Sequence, residues 1–283
     1  MPPRNKPTLR QRRLGAELRK LRTAAGLTTE AAAALLDVPR TNIPNMESGR
    51  SGISAERVRT LAKNYDCEDT DLVDALASMA TDRSEGWWEA HRHALPSGLL
   101  DIAELEWHAQ HLRVGLTVHM PGILQTEEHA RALFQHVIPR LPAEAVEARV
   151  ALRAGRQAVL DRPGPPTVHV VLHEAALRMQ FGGRHAARHQ LEHLLTASER
   201  PHVTVHILPF EAGGFPGAGQ SVIYVRERVP QLDTVQLDST HGPDFLHSEA
   251  QLGKYRAHLD EMETLALTAK ASRDLIRAIA NDL

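Results

Sequence analysis

A chain of 283 residues has room for two hydrophobic cores, and it holds no apolar run of membrane-spanning length. One cysteine, Cys67, excludes an intrachain disulfide and a zinc ribbon. The net charge of −2 hides an asymmetry: residues 1–60 carry twelve Lys/Arg against five Asp/Glu, so a basic front of +7 precedes an acidic remainder of −9, a distribution suited to phosphate binding by the front alone.

The lead MPPRNKPTLR has no apolar signal core, which makes the cytoplasm the expected location. Pro2, Pro3 and Pro7 oppose a helix there, and residues 1–8 read as a disordered basic lead in which Arg4 and Lys6 add weak phosphate attraction. Leu14, Leu18 and Leu21 then form one apolar stripe of a helix from about Leu9 to Ala25, stopped by Gly26. Thr28 is a good N-cap for the alanine-rich run Thr29 to Leu36. Asp37 and Val38 break it, and a second short segment runs from about Arg40 to Ser48 before Gly49. Ala32, Leu36, Val38, Ile43 and Met46 face inward, leaving Arg40, Thr41, Asn42, Asn45 and Arg50 outside, a donor-rich set suited to base edges and phosphates. Pro44 lacks an N–H, and its ring crowds the carbonyl four residues back. The favoured reading starts the second helix near Ile43 with Pro44 in its first turn, and leaves Arg40, Thr41 and Asn42 in an extended turn. Ser54 caps a further helix, and Asp69 or Thr70 starts a fifth.

This segment resembles the helix-turn-helix of lambda-repressor-like (XRE-type) regulators. Thr28, Thr29-Glu30, Ala33, Leu36, Asp37-Val38, Ile43, Met46-Glu47 and Gly49 fill the slots of that pattern. It departs at Thr29 (commonly Gln), at Asp37 (commonly Gly), and at Pro39 and Pro44 (commonly Ser). The resemblance implies DNA binding, with Thr28 and Thr29 joining the outward set. One short reading helix covers few base pairs, so a homodimer on a two-fold operator of double-stranded DNA is expected.

Residues 81–93 mark a junction, in which Trp87-Trp88 either pack the linker onto the second domain or line a ligand or partner site. Helical pattern returns from Leu99 to Leu116, with Ile102, Leu105, Ala109 and Leu112 on one side, until Pro121-Gly122. Thr126 caps a helix beginning Glu127-Glu128. The next helix, Pro142 to about Leu160, presents Arg149, Arg153 and Arg156 on its outward face. The pattern then switches to β-branched residues. Thr167–Leu172 and Val203–Leu208 read as strands flanking a helix from about Arg184 to Ser198, a βαβ unit with parallel strands. Ser221–Val225 and Thr234–Leu237 read as an antiparallel pair, and two helices, about Ser248–Ala266 and Ser272–Asn281, close the chain.

Residues after 85 are similar to the sensor-type domain of actinobacterial WhiJ-like regulators. The resemblance rests on Gly86-Trp87-Trp88, Met120-Pro121-Gly122-Ile123-Leu124-Gln125-Thr126, Arg149, Arg153 and Arg156-Gln157, Val170-Val171-Leu172-His173-Glu174, Gly182-Gly183 and Val203 to Phe210. It implies an antitoxin-like regulator whose second domain binds a small protein encoded nearby. Trp87, Trp88, Arg149, Arg153, Arg156 and Glu174 are the candidate partner- or ligand-binding residues.

Catalytic signatures are weak. His185, His189 and His193 recur at helical spacing beside Glu192, but the base of a zinc hydrolase is missing, and a solvated helix face is the favoured reading. His169, His173, His202 and His206 lie on or beside the two strands without a nucleophile. The expectation is an all-α, five-helix helix-turn-helix domain over 1–80, then a mixed α/β (α+β) domain over 84–283 with a βαβ unit and a small mixed sheet. It carries no enzyme activity, cofactor or metal and touches no membrane. The alternatives are a ligand-sensing regulator without a protein partner and a metal-dependent hydrolase fused to a DNA-binding domain.

Overall fold

The computed structural model describes residues 6–81 and 86–283; the expected disordered lead up to residue 5 and residues 82–85 of the junction lie outside them. The chain divides into two compact units, Met1–Gly86 and Trp87–Leu283.

The first unit is all helix: α1 (Leu9–Ala24), α2 (Thr29–Leu35), α3 (Asn42–Glu47), α4 (Ala55–Asn64) and α5 (Thr70–Thr81). Side-chain caps start four of them, among them α5, where Asp69 accepts from the Leu72 N–H at 3.0 Å. Thr8 forms a reciprocal capping box with Gln11, Thr28 accepts from the Ala31 N–H, and Ser54 accepts from the Arg57 N–H. Leu18, Ala32, Ile43, Val58, Leu61 and Leu76 are almost fully buried and form the core. Gly15 lets α1 cross α3 in backbone contact, since a Cβ there would fall 2.4 Å from the Glu47 carbonyl oxygen.

The second unit opens with α6 (Ser97–His108), β1 (His111–Leu116), α7 (Glu127–Gln135) and α8 (Ala143–Arg156). It continues through β2 (Thr167–His173), α9 (Glu174–Arg178), α10 (Gly183–Ala197), β3 (Val203–Leu208), β4 (Val222–Arg226), β5 (Thr234–Ser239) and β6 (Gly242–Leu246). Then α11 (Glu249–Leu265) and α12 (Ala269–Asp282) close it. The strands form one six-stranded sheet, ordered β3-β2-β1-β4-β5-β6. β2 pairs in parallel with both β1 and β3, whereas β4, β5 and β6 extend the other side antiparallel. The fold is therefore α+β, with the expected βαβ unit at one edge.

The helix expected over Leu99–Leu116 is a correction: it ends at His108, and His111–Leu116 is the strand on which the sheet turns from parallel to antiparallel. The apolar spacing of Ile102, Leu105, Ala109 and Leu112 runs through the break, and Ala109 leaves the helix without a Gly or Pro to mark the exit. Strand β1 has one β-branched residue, Val114, so its identity comes from its two neighbours rather than its propensity. Gly115 faces α11 at close range, where a Cβ would meet Leu259 at 2.9 Å. On that face Val171, Tyr224 and Val235 pack with Leu252, Leu259 and Met262. On the other, Leu112, Val114, Leu116, Val168, Val170 and Leu172 are equally buried. β6 was not expected either. Gly, Pro and Asp are poor strand formers, and pairing with β5 makes the segment a strand.

Candidate nucleic-acid interface and the second-unit cluster

The helix-turn-helix is α2, a turn and α3. Asp37 adopts a left-handed backbone, φ 51°, at the turn position where XRE-type sequences commonly have glycine; Asp and Asn are the side chains that tolerate it best after Gly. Helix α3 starts at Asn42, which puts Pro44 in the first turn, as expected. The preceding turn is not extended, however. Thr41 is helical, and the Asn42 N–H bonds the Pro39 carbonyl at 2.9 Å. Thr41 sits at the N-cap without a side-chain cap, because Pro44, three residues on, has no N–H to give it.

A buried ion pair fixes α3 to the scaffold. Arg22 donates from Nε to Glu47 Oε1 at 2.5 Å and from Nη2 to Oε2 at 3.0 Å, and a third N–H reaches the Leu27 carbonyl. The hydrogen bond to Glu47 is the main reason the Arg22 pKa is raised. Gly49 then ends the helix at φ 72°, with the backbone of Gln11 2.9 Å from where a Cβ would stand. In the sequence Arg22 is one charge of the basic front and Glu47 a slot of the XRE-type pattern; their pairing is a tertiary fact.

All seven expected DNA contacts reach solvent. Thr28, Arg40, Thr41 and Arg50 are exposed; Thr29, Asn42 and Asn45 are half-buried. Arg40 leans back onto Glu30 of α2 at 2.6 Å, both side chains largely solvated. Such a pair adds little stability and yields readily to a phosphate or a base. Arg12, Arg19, Lys20 and Arg57 are also exposed, whereas Arg13 and Arg22 are buried.

In the second unit the expected site divides. Arg156 is not outward: its side chain is 5% exposed and pairs bidentately with Glu106 of α6, both bonds 2.6 Å. The turn at Gly122 lies on the same guanidinium, 2.7 Å from where a Cβ would be. Trp88 is a core residue, 4% exposed, packed with Leu95, Leu100, Ala103 and Leu152, so the packing reading holds for it. Trp87 is half-buried and set edge-on to Trp88, with its ring against Gly155. Glu174 does not join the arginines. Buried at the end of β2, it takes Arg178 at 2.7 Å and the Phe210 N–H at 3.1 Å. Arg149 is half-buried and bonds the Ala145 carbonyl of its own helix.

Arg153 is different. It is half-buried, donates to Gln125 Oε1 at 2.6 Å, and holds its guanidinium over the Phe134 ring at 5.1 Å. The Met120–Thr126 turn that supplies Gln125 is clamped from α10, where Gln190 donates to the Leu124 carbonyl and accepts from the Thr126 N–H. His119 and His129, which the sequence reading did not single out, flank Phe181 beside it. Four of the histidines noted in the sequence have partners elsewhere. His173 caps α9 and stacks on Phe215, and His206 meets the Leu267 carbonyl. His185 and His189 both approach Glu128 near 4 Å on an open surface. Among the described residues no three His, Cys, Asp or Glu side chains converge as metal ligands, and no helix is long and apolar enough to cross a membrane.

A family model described as a domain of unknown function, DUF5753, matches residues 99–278, well over half the chain. The chain belongs to the DUF5753 family. In this member the domain follows a segment, residues 13–76, that matches a helix-turn-helix domain and takes in α2, the turn and α3 entire. The curated proteins give no match, and neither do the solved structures. The DUF5753 match spans β1 to β6 and so includes Arg153, His119 and His129.

Proposed function

We propose that this DUF5753 protein is a sequence-specific DNA-binding transcriptional regulator. The observation that carries the reading is α2–turn–α3 held rigidly to α1 by Arg22–Glu47 while Arg40, Asn42 and Asn45 stay in reach of solvent. Arg40 and Asn45 read base edges, and Thr28, Thr29, Thr41 and Arg50 hold phosphates. The protein acts as a homodimer on an operator of two half-sites about one helical turn apart. The second domain regulates rather than catalyses. Its resemblance to WhiJ-like regulators supports an antitoxin-like role with a small partner protein encoded nearby. A second reading, a ligand sensor with no protein partner, is favoured by the Arg153 cluster alone.

The test is binding of the full chain to selected operator and to random duplex across a salt series. The logarithm of affinity should fall linearly with that of salt, by about 0.9 per phosphate held, and sedimentation should show a dimer. Salt-independent binding, or a monomer on a single half-site, contradicts the proposal. Capture of the adjacent gene product separates the partner reading from the ligand reading.

A further inference from the structure

Beyond β1 the chain passes through His119 into the Met120–Thr126 turn, and α7, α8 and the loop before α10 bring four more side chains to the same place. His129 of α7 is 1% exposed, and neither of its ring nitrogens has a hydrogen-bond partner among the described residues. A neutral imidazole carries one donor and one acceptor, and burial normally satisfies both. Phe181 stands between the two imidazoles, 5.5 Å from His129 and edge-on to it, and 5.7 Å from His119. Arg153 completes the group. Its bond to Gln125 uses a neutral acceptor, and Gln125 is buried and held by its own bond to the Met120 carbonyl.

The carboxylates nearby are committed. Glu106 is bound bidentately by Arg156. Asp238, whose charge acts on both Arg153 and His119, is exposed and accepts from Gln236. Arg153 is thus a cation drawn out of water without a carboxylate bonded to it among the described residues. Lost hydration pulls its pKa down to about 9 and that of His129 to about 4. Val118, next to His119 in the chain, and Met179, two residues before Phe181, are among the few large apolar side chains exposed among the described residues. A recessed cation, aromatic rings and an unspent imidazole are the usual contents of a small-molecule site.

We propose that this cluster binds a small aromatic carboxylate, with the carboxylate on the Arg153 guanidinium and an imidazole N–H of His129, and the ring against Phe181 and Phe134. Arg presents paired donors that match a carboxylate, and offset or edge-on rings are favourable neighbours for another ring. A carboxylate borne on another protein's surface is a poorer fit, because His129 is recessed below the surface. The proposal deepens the ligand-sensing reading of the second domain. It is tested without DNA, so either can fail while the other stands.

Benzoate is the probe, titrated into the full chain by calorimetry while ring resonances of labelled histidines are followed by NMR. Saturable binding in the millimolar range or tighter should come with a shift of the His129 resonances. The uncharged analogue benzyl alcohol and inorganic phosphate should each bind about tenfold more weakly or worse. Arg153→Gln keeps a donor for Gln125 and should lose about tenfold or more. Phe181→Leu, which removes the ring the ligand packs against, should weaken binding several-fold even where Arg153→Gln does not fold. Absence of saturable binding, phosphate matching benzoate, or unchanged affinity in these variants overturns the assignment.

Discussion

In the first unit Arg22 and Glu47 join α1 to α3; in the second Arg156 and Glu106 join α8 to α6 and carry the Gly122 turn. The geometry is the same, a buried bidentate guanidinium–carboxylate pair, but the surroundings differ. Side chains of the first pair keep 10% and 9% exposure, and those of the second 5% and 4%. Around the first pair the candidate DNA-contacting side chains reach solvent. Around the second, the next arginine along the helix, Arg153, is itself half-buried and turned toward the Met120–Thr126 turn. A binding face presented on a rigid small scaffold shows itself by exposure, whereas a recessed site shows itself by polar groups left unspent in the interior.

The largest expected effect comes from breaking the deeper pair. Arg156→Met leaves Glu106 charged and buried, and should destabilise the second unit by about 3–5 kcal/mol. Removing both charges in Arg156→Met/Glu106→Leu should recover most of that, since well-packed apolar replacements are often neutral. Arg22→Met should cost less, because Glu47 retains more water. Chemical denaturation of the full chain, followed for each unit's transition, gives the order. If Arg22→Met costs more than Arg156→Met, the comparison is reversed.

Next is the pH response of His129. Burial holds its folded pKa near 4, below the ordinary 6.5. Between those values the unfolded chain takes up a proton that the folded chain refuses. This contribution is therefore whole above pH 6.5, is lost as pH falls, and levels off below pH 4, a total of about 3 kcal/mol. The stability difference between wild type and His129→Gln should change by about that amount across the window. A difference independent of pH shows that His129 protonates freely in the folded chain.

The smallest effect is local. Thr28→Ala removes the cap bond to the Ala31 N–H and should destabilise the first unit by about 1 kcal/mol. A thermal midpoint equal to wild type contradicts the cap.

Most of the first unit was legible because its signals are short-range: a cap at Thr28, a break at Asp37-Val38, a stop at Gly49. Even Pro44 gave the correct helix start, because a missing N–H is a property of the residue itself. What stayed hidden was the pairing of Arg22 with Glu47, since separation along the chain says nothing about which charge a guanidinium meets. In the second unit the βαβ strands announced themselves by β-branched runs. β1 and β6 did not, because pairing with neighbours rather than composition makes them strands. The spacing of Arg149, Arg153 and Arg156 identified a common helix but not its outward side; burial beside Glu106 decides that for Arg156. Nothing in a linear pattern marks His129 as buried without partners.

The central claim is that α3 and the turn before it read DNA. The most direct measurement is the ratio of operator to random-duplex affinity for wild type, Arg40→Ala, Asn45→Ala and Arg50→Ala at one salt concentration. A good bidentate base contact is worth about 1–3 kcal/mol. The first two substitutions should therefore lower the ratio by roughly five- to a hundredfold, while Arg50→Ala lowers both affinities alike and leaves the ratio near that of wild type. An unchanged ratio in both Arg40→Ala and Asn45→Ala would mean that this helix-turn-helix does not read sequence.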